Sequence, residues 1–80
     1  MQKAEILETI QNIVRDIVDD DDVVLMPVMT AEDVDGWDSV NHIKIILGIE
    51  SEFDVRFDVD QINASETVGD LVDLVAEKLN

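Results

Sequence analysis

Ser39 stands in the run Gly36-Trp37-Asp38-Ser39-Val40, where a long acidic loop gives way to an amphipathic helix. A hydroxyl on the first turn of a helix is exposed. The amide N–H groups of that turn and the positive end of the helix dipole lie beside it, so a phosphate ester on that oxygen would be stabilised. Asp and Ser are also preferred helix N-caps, and from local chemistry alone capping is the commoner role for such a pair. Ser39 and His42 are three apart on one helix and could approach as a nucleophile and its base do. His42 projects toward the core face, however, it is the one histidine of the chain, and no oxyanion site is evident. A chain of this size also cannot hold a substrate cleft. The spacing therefore excludes a hydrolase, assigns no catalytic residue, and leaves His42 as a core or pocket-lining side chain.

The acids invite a test for calcium. An EF-hand loop needs Gly at its sixth position, acids at the first, third and fifth, and Glu at the twelfth. Anchored on Gly36, the first position is Ala31 and the twelfth His42. Two ligands are missing, so no metal site is assigned. Loose divalent binding by Asp19 to Asp22, or by the acids from Glu32 to Asp38, stays open.

The elements that must position Ser39 follow from periodicity. Ile6, Ile10, Ile13, Val14 and Ile17 share one helical face, with Leu7 beside it, and predict a helix over about residues 3–18. The segment from Asp20 to Asp38 is long and irregular, broken by Pro27 and Gly36. One capped turn is expected at Thr30-Ala31-Glu32-Asp33, and Val23, Val24, Leu25 and Val28 are expected to anchor the loop. So long a loop in so small a domain is functional or disordered. A second helix begins at Asp38 or Ser39 and runs to about Phe53. Asp58 to Gln61 forms an Asp-x-x-Gln capping box before Ile62. The last helix has Thr67 as its N-cap, and Val68, Leu71, Val72, Val75 and Leu79 form its stripe. The fold expected is all-α: a small four-helix bundle of three longer helices and one short one, with a long loop between helices 1 and 2.

Around the second helix, His42, Ile45, Ile46, Ile49 and Phe53 fall on the core face. Val40 and Leu47 fall nearly opposite and Ile43 at the edge, around Ser39, Lys44 and Glu50. Exposed apolar residues beside a candidate attachment point form a docking strip, although two or three exposed apolar residues are ordinary on any surface. Trp37 reads as a hydrophobic staple or loop anchor. Gly48, costly inside a helix, marks close packing or the approach of a partner.

Composition limits the partners. Eighty residues make one small domain, 46% apolar, with a net charge of −15 from 20 acids and five bases. That charge disfavours nucleic acid and anionic membrane surfaces and favours basic protein patches. It also repels itself, so salt or divalent cations should stabilise the fold. No cysteine is present, which fits a reducing cytoplasm. The opening Met1-Gln2-Lys3-Ala4-Glu5 reads straight into a helix, without the apolar stretch of a secretory signal.

Gly36-Trp37-Asp38-Ser39-Val40-Asn41-His42-Ile43 resembles the attachment motif of acyl carrier proteins, which typically reads Gly-x-Asp-Ser-Leu. Ile49-Glu50-Ser51-Glu52-Phe53 is similar to the Leu-Glu-x-Glu-Phe that closes the family's second helix. The start of the last helix matches too, so the resemblance spans nearly the whole chain. It implies a single acyl carrier domain over residues 1–80. In such a domain Ser39, with Asp38 before it, carries covalent 4′-phosphopantetheine transferred from coenzyme A by a phosphopantetheinyl transferase. The thiol of the arm then carries acyl groups as thioesters, and the protein itself catalyses nothing. Ile45, Ile46, Ile49 and Phe53 become core or acyl-pocket residues. Val40, Ile43, Leu47 and Glu50, with Asp38, meet the basic, apolar docking sites of acyltransferases, synthases or ligases. A cytoplasmic monomer is implied. The family's usual Leu after the serine is Val40 here, and Asn41, Lys44 and Ser51 replace acids on the exposed face. These departures suggest a specialised, freestanding carrier for a dedicated acyl, polyketide or amino-acyl pathway. The rival reading is a cofactor-free helical adaptor that binds a partner through Val40, Ile43 and Leu47.

Overall fold

Each helix stands where its apolar face finds a neighbour. The computed structural model describes residues 2–79. Among them are four α-helices: α1 (Lys3–Val18), α2 (Ser39–Phe53), α3 (Val59–Ala64) and α4 (Val68–Leu79), with a 3₁₀ turn at Ala31–Asp33. α1 packs along both α2 and α4. Ile6, Ile10 and Val14 of α1, Ile45 and Ile49 of α2, and Val68 and Val75 of α4 meet in the interior and lose essentially all contact with solvent. Burial of these side chains is the main favourable contribution to so small a fold.

The helix ends follow local rules. Glu5 accepts from the Gln2 amide at the start of α1. Asp58 and Gln61 form the expected capping box before α3. Thr67 and Asp70 exchange hydrogen bonds at the start of α4, with Thr67 N–H donating to Asp70 and Asp70 N–H to the Thr67 hydroxyl. α1 and α2 both close on an aspartate in the left-handed region, Asp19 at φ 56° and Asp54 at φ 54°. Aspartate is one of the few side chains that tolerate that conformation.

Two sets of bonds fasten the loop between α1 and α2. On one side, Arg15 donates to the Val23 carbonyl at 2.6 Å, and Gln11 accepts from the Leu25 amide at 2.9 Å. On the other, the unpaired amides at the head of α4 are satisfied by loop carbonyls: Val68 donates to Met29 and Gly69 to Pro27, both at 2.8 Å. The loop thus straps the N-terminus of α4 to α1 and delivers the turn at Ala31–Asp33 beside the head of α2. Thr30 caps that turn, as the sequence leads one to expect, with Asp33 answering it.

Three apolar expectations change in three dimensions. Of the loop residues expected to anchor it, Leu25 is buried and Val23 half-buried, but Val24 and Val28 are exposed. Leu25 turns inward while Val24 before it turns out to solvent. Leu79 is exposed and Leu74 is buried instead. Lys3, at the start of α1, pairs with Asp73 at 2.8 Å, so the last turn of α4 runs past the start of α1, and among the described residues Leu79 is left exposed. His42 is half-buried rather than part of the sealed core.

Gly48 does mark close packing. A Cβ at that position would stand 3.0 Å from Cγ2 of Ile13, where α1 and α2 touch.

Candidate functional site

The loop returns to the core before it reaches α2. Val34 and Trp37 are buried, and between them Gly36 adopts φ +87°, a conformation open to glycine at low cost. Asn41 then reaches back from the first turn of α2 and donates to the Gly36 carbonyl at 2.7 Å. This bond fixes the angle at which the loop meets the helix.

Asp38 is the N-cap of α2, and its carboxylate accepts from the Asn41 amide at 2.8 Å. The His42 amide is bonded to the Asp38 carbonyl, also at 2.8 Å. Capping thus falls to Asp38 rather than to Ser39. Ser39 is the first residue of the helix and is exposed, and its hydroxyl enters no hydrogen bond among the described residues. The amides of Ser39 and Val40 are likewise unbonded there, as the first amides of any helix are. An exposed, uncommitted hydroxyl beside free amides at the positive end of a helix can be esterified and can hold an anionic group.

Next to Ser39 lies a shallow depression of about 500 Å³, lined by Ala31, Trp37, Asp38, Ser39 and His42. Its floor is a pair of rings. Trp37 Nε1–H donates to His42 Nδ1 at 3.0 Å, and the rings stack with centroids 6.1 Å apart and an angle of 27°. Sequence reading places Trp37 as an anchor and His42 as a lining residue but does not join them. The spacing of five residues, which puts the loop's last aromatic beside the first turn of the helix, is the signal that could have done so. Ala31 was not anticipated, because the strap to α4 brings it there.

The remaining candidate residues divide into two groups. Val40, Ile43 and Leu47 are 64%, 61% and 59% exposed and form one apolar strip below Ser39. Glu50 differs from a free surface charge. It is half-buried, and its carboxylate accepts from the Phe57 amide at 2.9 Å, holding the connection to α3. Ile45, Ile46, Ile49 and Phe53 are all buried in the core behind the strip.

A four-helix bundle that presents a free serine at the head of its second helix is an arrangement suited to bearing a group on that serine. The family model for the phosphopantetheine attachment site matches residues 5–75. An acyl carrier protein of Petrotoga mobilis is 35% identical, over all of this chain and 94% of that one. One of Caulobacter vibrioides is 31% identical over 94% of this chain and 96% of its own. The solution structure of holo acyl carrier protein from Geobacter metallireducens superposes with a TM-score of 0.85 at 37% identity, covering 91% of this chain and 84% of that one. The chain belongs to the acyl carrier protein family, whose prosthetic group is 4′-phosphopantetheine.

Proposed function

We propose that residues 1–80 form one carrier domain and that Ser39 is the residue that takes the prosthetic group. What carries the reading is the state of the Ser39 hydroxyl: exposed, free of hydrogen bonds, and set at the head of α2 because Asp38 does the capping. In the loading step Ser39 Oγ forms a bond to the phosphorus of the phosphopantetheine half of coenzyme A. The bond to the nucleotide half breaks, adenosine 3′,5′-bisphosphate leaves, and the serine proton passes to a base on the transferase. The bound arm supplies the thiol on which acyl groups are carried.

The domain catalyses nothing itself. It serves as a monomeric, cytoplasmic carrier, since the transferase and coenzyme A must reach the serine. The strip of Val40, Ile43 and Leu47 docks partner enzymes, and the acidic surface favours those with basic patches. The buried set of Ile45, Ile46, Ile49 and Phe53 is the apolar interior available to an acyl chain. Incubation with coenzyme A and a promiscuous phosphopantetheinyl transferase should add one phosphopantetheine to the intact mass. Ser39→Ala should gain none and keep its helical circular dichroism. Loading of Ser39→Ala would refute the assignment. A folded parent that stays unmodified, beside a carrier that is modified, would favour the cofactor-free adaptor.

Lys44 supports a dedicated pathway. It stands on the exposed face of α2, one residue from Ile43, and places a positive charge against partners expected to be basic. Lys44→Glu should therefore be acylated faster than the parent by general fatty-acid enzymes. Equal rates would count against a specialised carrier.

A further inference from the structure

We propose that His42 is a positioning residue for the phosphodiester of the arm, its Nε2–H donating to a phosphate oxygen with the ring held by Trp37. This rests on Ser39 as the attachment residue. An indole N–H can only donate, so the bond from Trp37 Nε1 makes His42 Nδ1 an acceptor. A neutral imidazole in that state carries its proton on Nε2. The stacking of the two rings and the burial of Trp37 hold the imidazole plane against rotation.

The depression beside Ser39 has few means of holding an anion. Ala31 offers no polar side-chain atom, Asp38 as a carboxylate offers acceptors, and Trp37 has committed its one donor. No Lys or Arg lines it. In a chain of net charge −15, the surrounding field opposes a phosphate. Apart from Ser39 itself, His42 Nε2–H is the one uncommitted side-chain donor in the lining. Residues three apart on a helix are neighbours on its surface, so a phosphate on Ser39 Oγ lies within reach of that donor. The ring contributes a preset donor, which together with the free amides of Ser39 and Val40 surrounds the phosphate and sets the direction in which the arm leaves the helix.

A purely structural His42, present to satisfy the buried indole, would be indifferent to what is attached to Ser39. The test compares apo and transferase-loaded protein, labelled with ¹⁵N at histidine, at neutral pH. On loading, the Nε2 resonance should move while Nδ1 remains an acceptor. Exchange of the Nε2 proton with water should slow by about tenfold, the scale of one hydrogen bond to a charged group. In the loaded protein, His42→Phe should shift the ³¹P resonance of the phosphodiester, and His42→Gln, which retains a donor, should restore it toward the parental position. Unchanged His42 signals on loading, or a ³¹P resonance indifferent to His42→Phe, would overturn the proposal. If His42→Phe does not fold, the comparison of parent apo and loaded protein decides alone. Failure to gain the mass of phosphopantetheine would refute the Ser39 assignment itself, and this one with it.

Discussion

At the scale of single residues, Asp38 and Ser39 divide two tasks that the sequence leaves tangled. The aspartate caps and the serine stays free. At the head of α4 an acid and a hydroxyl three residues apart are used differently. There Asp70 accepts from the backbone amides of Glu66 and Thr67 at 2.9 and 3.1 Å. These two amides, aided by the Thr67 hydroxyl, hold its carboxyl below the ordinary carboxylate value of 3.8. A carboxyl whose pKa is lower in the folded state stabilises the fold above its unfolded value, and the contribution is lost as pH falls through the folded value. Asp70→Asn, whose side chain does not titrate, should therefore be less stable than the parent at neutral pH. The gap should narrow as the pH falls below about 3.8. Urea midpoints for both proteins across that range would show it, and a gap independent of pH would be inconsistent with the role of those amides.

At the scale of elements, the loop between α1 and α2 is held by backbone more than by side chains. Only Leu25, Val34 and Trp37 of that loop are buried. Its register comes from Gln11, Arg15 and the first amides of α4. Gly69 is the tightest point. A Cβ there would come within 2.9 Å of the Pro27 carbonyl oxygen, the atom that accepts the Gly69 amide. Helix propensity alone would make Gly69→Ala stabilising by about 1 kcal/mol. The contact reverses the sign, since the carbonyl is backbone and cannot swing away without breaking the bond. We expect Gly69→Ala to destabilise by about 1 kcal/mol or more in urea unfolding, the cost of a lost backbone hydrogen bond. Amide exchange should quicken at Gly69 and Val68. A more stable variant would show that the strap is loose.

Across the whole molecule, charge and core oppose each other. Sixteen apolar side chains are buried, and no polar or charged residue is buried among the described residues. Nearly all of the acids therefore meet water, and the single ion pair found among the described residues, Lys3 with Asp73, is exposed. Such a pair is worth at most about 1 kcal/mol. A net charge of −15 then destabilises the compact state through self-repulsion that salt screens. The melting temperature should rise by several degrees between roughly 10 mM and 150 mM salt, where the Debye length falls from about 30 to 8 Å. Millimolar divalent cations should act in the same direction. A melting temperature insensitive to both would mean that the charges are already compensated in the fold.

The four helices, the N-caps at Asp58 and Thr67 and the place of Ser39 were readable from the chain alone, because these depend on periodicity and on bonds between residues a few positions apart; the cap at Gln2 and the left-handed aspartates that close α1 and α2 were not. The stripes of α1 and α2, the capping boxes at Thr30 and Asp58, and the exposed strip of Val40, Ile43 and Leu47 were all legible for that reason. The attachment motif was legible as a resemblance, since local chemistry alone favours a cap. The tertiary structure decided what depends on where an element ends against its neighbour. Leu79 is exposed because α4 outruns α1, and Glu50 is drawn in to the Phe57 amide. Ala31 reaches the serine through the strap to α4, and Trp37 meets His42 across the cap of α2 at Asp38. The reach of Ala31 and the end of α4 depend on how distant segments are placed against one another, which no local pattern encodes, whereas the Trp37–His42 and Glu50–Phe57 contacts lie close in sequence but need the turns between them to be known.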